Sequence, residues 1–209
     1  DVAFPHAALE ALGYHHRAVS GQKTYNGVAL LSRTPITDVV TDIDGFVDPQ
    51  RRILAGTIDG IRVVDLYVVN GQEVGSEKFA YKLEWLAQVR AWLAQQLVRW
   101  PKLVVLGDFN IAPADRDVHD PAAWHEQVLC STPEREALRN LLALGLHDSF
   151  RVLDPEAQQF SWWDYRGGNF HKRKGMRIDY LLATPPLADA AVSDLIDRNA
   201  RKGTKPSDH

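Results

Sequence analysis

The chain has 209 residues, 45% of them hydrophobic and 24% charged, which suits one globular domain with a substantial core. Its formal net charge of −3 gives no global sign of nucleic-acid binding, so contact with a polyanion needs a local patch of cations. The single cysteine, Cys130, excludes an internal disulfide and favours a reducing compartment, and no apolar run approaches membrane-spanning length.

Residues 4–12 have helical spacing, and Gly13 is a natural stop. Residues 14–19 read as a strand, 20–23 as a turn, and 28–31 as a buried strand ended by Thr34-Pro35. The acidic, polar stretch 38–50 reads as a loop with a weak edge strand. Two strands, 51–58 and 62–69, meet at Asp59-Gly60, a strong hairpin dipeptide. Ser76 caps a long helix reaching about residue 98, with Phe79, Leu83, Leu86, Leu93 and Leu97 on one face. Thr132-Pro133-Glu134 opens another helix, with proline at the first helical position, that ends near Gly145. Three further strands are expected at 160–165, 177–184 and 190–197. Hairpin strands mixed with a few helices predict a layered α/β fold of two packed sheets with outer helices.

The chemistry gathers around residues 103–110. Leu103-Val104-Val105-Leu106 predicts a strand buried on both faces, and it runs into Gly107-Asp108-Phe109-Asn110. Alternation puts Asp108 and Asn110 on one side and Phe109 in the core. That pair can hold a cation or orient a water; it is equally an Asx turn leading into Ile111-Ala112-Pro113. In Met176-Arg177-Ile178-Asp179-Tyr180 a carboxylate interrupts an apolar strand and needs a partner. Arg177 offers a structural ion pair, and the histidine of Ser207-Asp208-His209 offers an imidazole whose tautomer Asp179 would fix. Tyr67, before the Asn70-Gly71 turn, reads as a core-rim tyrosine at a strand end.

Gly-Asp-Phe-Asn, Arg-Ile-Asp-Tyr and Ser-Asp-His, in that order, resemble the exonuclease III family of the endonuclease/exonuclease/phosphatase superfamily, in its bacterial branch. The resemblance spans the chain, through Tyr25 to Ser32, Gln50 to Ile53, Tyr67 to Gly71, Lys78 to Trp85 and Phe160 to Arg166. It implies a DNase I-like four-layer α/β sandwich of two packed mixed β-sheets flanked by helices. It also implies metal-dependent hydrolysis of a phosphodiester by an in-line water. On that resemblance Asp108 orients or deprotonates the water, and Asn110 holds the water or the scissile phosphate. His209 contacts a phosphate oxygen with Asp179 orienting its ring, while Tyr67 and Asn70 touch the phosphate. Asp208, with Asp108 and Asn110, serves the metal, expected to be Mg²⁺ with Mn²⁺ able to substitute.

The family's Gln-Glu-Thr motif, whose glutamate is a principal metal ligand, is not in the sequence; Asp1-Val2-Ala3-Phe4-Pro5 resembles the segment that follows it, and Glu10 falls on a helix. The expectation is a single domain over residues 1–209, cut at both ends and lacking the first strands and the last one, and therefore weakly active or inactive.

Residues 166–177 supply the local cations, with Arg166, Lys172, Arg173 and Lys174 and no acid among them, and Trp162, Trp163 and Phe170 nearby. Such a loop can grip phosphates and stack on bases. The resemblance places Trp162, Met176 and Ile178 around a pocket for an extruded abasic sugar, looser where Met176 replaces a relative's tryptophan. Lys78 and Lys82, one helical turn apart, read either as phosphate contacts or as a solvated face. The implied protein is a cytoplasmic, monomeric DNA-repair nuclease. It would act on double-stranded DNA by incision at abasic sites, 3′→5′ exonuclease action and 3′-end cleaning, without a membrane. The alternatives are another superfamily phosphodiesterase or phosphatase acting on lipids or nucleotides, and a non-catalytic DNA-binding module.

Overall fold

The computed structural model describes residues 4–46 and 48–209, so Asp1–Ala3, which bear on the resemblance at the start of the chain, lie outside the described residues. In chain order the regular elements are α1 (His6–Ala11), β1 (His16–Gly21), β2 (Gly27–Ser32), β3 (Ile36–Val40), β4 (Ile53–Ile58), β5 (Ile61–Tyr67), α2 (Glu77–Arg99), β6 (Leu103–Asp108), α3 (Thr132–Leu142), β7 (His147–Asp148), α4 (Ser149–Leu153), β8 (Asp179–Ala183) and α5 (Pro185–Ala188). A six-stranded sheet runs β3-β4-β5-β6-β8-β7, and β1 and β2 form a second, antiparallel sheet over β4 and β5. Among the described strands only β5 and β6 are parallel neighbours, because the helix α2 carries the chain back between them.

The turn joining β4 and β5 has Asp59 and Gly60 at φ 50° and 78°, the left-handed pair a tight hairpin requires. α2 starts where Ser76 accepts the Phe79 N–H at 3.1 Å, and α3 starts with a capping box between Ser131 and Glu134. The proline of α3 is its second helical residue rather than its first. The main core lies between the large sheet and these two helices, built on Leu66, Trp85, Leu86, Val89, Leu93, Leu103, Val105 and Leu141. A smaller core of Ala18, Val28, Leu30 and Leu54 joins the two sheets. None of the described helices is long and apolar enough to cross a membrane.

Some expectations need correction. The strand at 28–31 is covered on one face only, and in β6 Val104 and Leu106 keep partial exposure. No strand forms at 190–197, where Val192 and Leu195 stand 92% and 72% exposed; apolar residues without a neighbouring edge to pair with give no ladder. Residues 160–165 contribute one bridge, Trp162 to Met176, instead of a strand.

Candidate active site

The register of three adjacent strands sets Tyr67, Asp108 and Asp179 in a row at one end of the sheet. Gly107 makes the row possible: at φ +126° it approaches β5 so closely that a Cβ would lie 2.1 Å from the Leu66 carbonyl oxygen. With Gly27, Ala29, Asp65, Asp208 and His209, the row lines an open cleft of about 440 Å³.

On the inner wall, Asp108 Oδ1 accepts the Asn110 N–H at 2.8 Å, and Asp108 Oδ2 accepts the Asn110 side-chain amide at 2.9 Å. Asn110 turns into the left-handed region (φ 50°) to make these bonds, while Phe109 goes into the core against Tyr180. Asn70 Nδ2 donates to Asn110 Oδ1 at 3.0 Å, so the two expected asparagines and Asp108 form one chain of hydrogen bonds. The Asn110 amide also donates to the Val68 carbonyl, at 3.0 Å. Both N–H groups of its side-chain amide are thus committed to the wall, and its oxygen accepts from Asn70.

His209 forms the opposite rim. Its Nδ1 lies 2.9 and 3.0 Å from the two oxygens of Asp179, and its Nε2 lies 3.9 Å from Asp108. The alternative partner, Arg177, is taken elsewhere: it is buried and pairs with Asp117 at 2.7 Å and Asp148 at 2.8 Å. The imidazole reading of Asp179 is therefore the one the geometry carries. Asp208 accepts the Trp162 indole N–H at 3.1 Å, and its carbonyl accepts the Trp163 N–H at 2.9 Å. Arg198 and Arg201 stack on Trp163, Phe170 and Tyr165, which clamps the segment delivering Asp208 and His209 onto the aromatic loop.

The electrostatics follow from this crowding. Burial, then the charge of Asp179, pushes the Asp108 pKa up to about 7, against the pull of His209, the Asn110 N–H and Lys82. Burial alone opposes a charged His209, but the bond to Asp179 and the charges of Asp179, Asp108 and Asp208 outweigh it and raise its pKa. Asp65, which the sequence reading passed over, is pushed up to about 6 by burial, partly offset by the Ala29 N–H. Its signal was the same as that of Asp179, an acid inside the apolar run Val63-Val64-Asp65-Leu66.

The donor chemistry fits a hard cation. Asp108 and Asp208 present carboxylate oxygens to one cleft, and a cation there would favour the charged form of Asp108, which burial first and the charge of Asp179 second oppose. No group of three His, Cys, Asp or Glu among the described residues makes a closed cage. Mg²⁺ suits such an open site, since it takes one or two carboxylates and keeps waters or substrate oxygens.

Several expected contacts fall elsewhere. Met176 has no solvent exposure and Ile178 only 2%; both pack with Ala112, Val118, Leu129 and Cys130, so neither walls an open pocket. Trp163 is buried as well, edge-on to Phe170, which leaves Trp162 as the partly exposed ring beside Asp208. Arg166 folds back onto Asp164 at 2.8 Å. Lys172, Arg173 and Lys174 are exposed, with no acidic partner at ion-pair distance among the described residues. Lys82 is on neither a phosphate-facing nor a solvated surface; it is fully buried.

Residues 1–209 match the Endonuclease/Exonuclease/phosphatase family. The chain belongs to that family. Over its whole length it is 34% identical to exodeoxyribonuclease III of Haemophilus influenzae, covering 83% of that protein. The 3′ phosphatase NExo from Neisseria, solved with a product DNA hairpin, superposes with a TM-score of 0.96 at 46% identity, over 100% of this chain and 81% of that one. An AP endonuclease from Archaeoglobus fulgidus gives 0.94 at 35% identity, again over 100% and 81%. These neighbours bear out the two-sheet, DNase I-like fold expected of the sequence.

Proposed function

We propose that the chain is a DNA-repair nuclease that hydrolyses phosphodiesters in duplex DNA, at abasic sites and at 3′ ends. The observation that carries this reading is the imidazole of His209 between Asp179 and Asp108, opposite the Asn70–Asn110–Asp108 wall. The names of the family relatives, an exodeoxyribonuclease, a 3′ phosphatase and an AP endonuclease, support it.

Asp108 accepts a proton from the attacking water, and Asn110 keeps its carboxylate aimed. Asp179 holds His209 Nδ1, which leaves Nε2 toward the cleft to donate to a phosphate oxygen as charge builds. Tyr67, stacked under the Arg52 guanidinium at 4.5 Å, and Asn70 meet the same phosphate. Asp108 and Asp208 would hold Mg²⁺, or Mn²⁺ in its place, and the cation would supply charge neutralisation at the phosphate. Lys172, Arg173 and Lys174 grip the duplex backbone. The protein acts as a monomer in the bacterial cytoplasm.

The test is Mg²⁺-dependent nicking of a duplex with one abasic analogue, by this chain and by a form extended at both ends. Cleavage on the 5′ side of the analogue is expected in the extended form. Silence from both forms would transfer the assignment to another phosphodiesterase or to a DNA-binding module.

A further inference from the structure

Lys82 and Glu134 are both fully buried, on the facing sides of α2 and α3. A buried ammonium needs partners for all three N–H donors. Lys82 Nζ donates to the Asn110 carbonyl at 2.7 Å, to the Asn70 carbonyl at 3.1 Å and to the Glu134 carboxylate. Glu134 in turn accepts the Leu129 and Ser131 backbone N–H groups and the Ser131 hydroxyl. The ammonium is thus held from behind by the helix cap and reaches forward to two carbonyls. Those carbonyls belong to the asparagines whose side chains bond each other and Asp108.

Stability alone does not account for the pair, because buried ion pairs are often matched or bettered by apolar side chains of similar volume. What an apolar pair cannot do is hold two carbonyls, one of them on a residue at φ 50°. We propose that Lys82, backed by Glu134, is a positioning residue that fixes the Asn70 and Asn110 backbones so that the Asn70 amide stays on Asn110 and the Asn110 amide stays aimed at Asp108. This rests on the cleft being the reaction centre.

Lys82→Met, Lys82→Arg and the double variant Lys82→Met/Glu134→Leu are compared with the wild type by urea midpoint, by kcat and KM for nicking, and by the side-chain amide resonances of Asn70 and Asn110. Lys82→Met is expected to lose about 10–100-fold in kcat, with KM changed less than about threefold. The double variant, free of an orphaned buried charge, is expected to recover the urea midpoint but not kcat, and its two amide resonances shift. Lys82→Arg, which keeps donors for the carbonyls, recovers most of the kcat. A double variant with both midpoint and kcat restored, or equal kcat losses in Lys82→Met and Lys82→Arg, overturns the proposal. A folded wild type that cleaves no duplex, both as this chain and in the extended form, refutes the nuclease reading instead; the amide resonances then decide this one, and unshifted resonances in the double variant overturn it.

Discussion

The inner wall of the cleft, Asn70–Asn110–Asp108, is backed by an ion pair with no solvent exposure, whereas at the rim the side chains of His209 and Asp179 are 33% and 31% exposed. Both are carboxylate–cation contacts at hydrogen-bond distance, yet their energetics differ. Removing one partner of a buried pair costs about 3–5 kcal/mol, because the other is left charged and unsolvated. A half-open pair contributes about 0–1 kcal/mol, because water competes for both partners. On the proposed mechanism, the wall is therefore rigid where the water is aimed and the rim adaptable where the substrate's charge is met.

The sharpest way to break this contrast is Asp108→Asn. It is expected to lower the nicking rate about 10³-fold in single-turnover assays while leaving duplex affinity intact. Near-normal turnover would remove Asp108 from the chemistry. On the rim, His209→Ala is expected to lower kcat about 10²-fold, with melting temperature barely changed near pH 8. Because the folded pKa of His209 is raised, its pairing stabilises fully below about pH 6.5 and fades as pH rises through the folded value. The melting difference between wild type and His209→Ala should therefore be largest in acid; a difference that grows with pH would contradict the pairing.

Asp65 sharpens the comparison from inside the cleft. Its folded pKa of about 6 lies above the unfolded value, so its favourable contribution is present in acid and is lost as pH rises through 6. Asp65→Asn should be more stable than wild type at pH 8, by no more than about 3 kcal/mol, with the gain vanishing below about pH 4. Equal urea midpoints at pH 8 would mean that Asp65 is not desolvated. The smallest effects belong to the exposed loop. Replacing Lys172, Arg173 and Lys174 with alanine should flatten the salt dependence of duplex binding by about 0.9 per lost phosphate contact, with kcat unchanged. An unaltered slope would take the loop out of the DNA interface.

The row of site residues was legible where strand alternation and turn chemistry agree, as at Asp108 and Asn110. Asp179 was legible as an acid in an apolar run, but its partner was not. Arg177 precedes β8, so strand alternation does not hold there, and the arginine swings to Asp117 and Asp148, far away in sequence. Lys82 could have been found: it sits three residues after Phe79 and four before Leu86, inside the apolar stripe of α2, where a charge demands a buried partner. Met176 and Ile178 misled because an apolar residue beside a site reads the same whether it walls a pocket or fills the core beneath it. Val192, Leu195 and Ile196 have the apolar character of a strand, but pairing depends on a neighbour that composition does not reveal.

The two walls also differ in when the chain can supply them. β5, α2, β6 and the start of α3 bring every group of the inner wall together between residues 67 and 134, whereas the rim waits for residue 209. At about 5–20 residues per second, synthesis separates the two events by about 4–15 s. In a chain made from its N-terminus, every group of the inner wall is therefore synthesised before the imidazole that faces it.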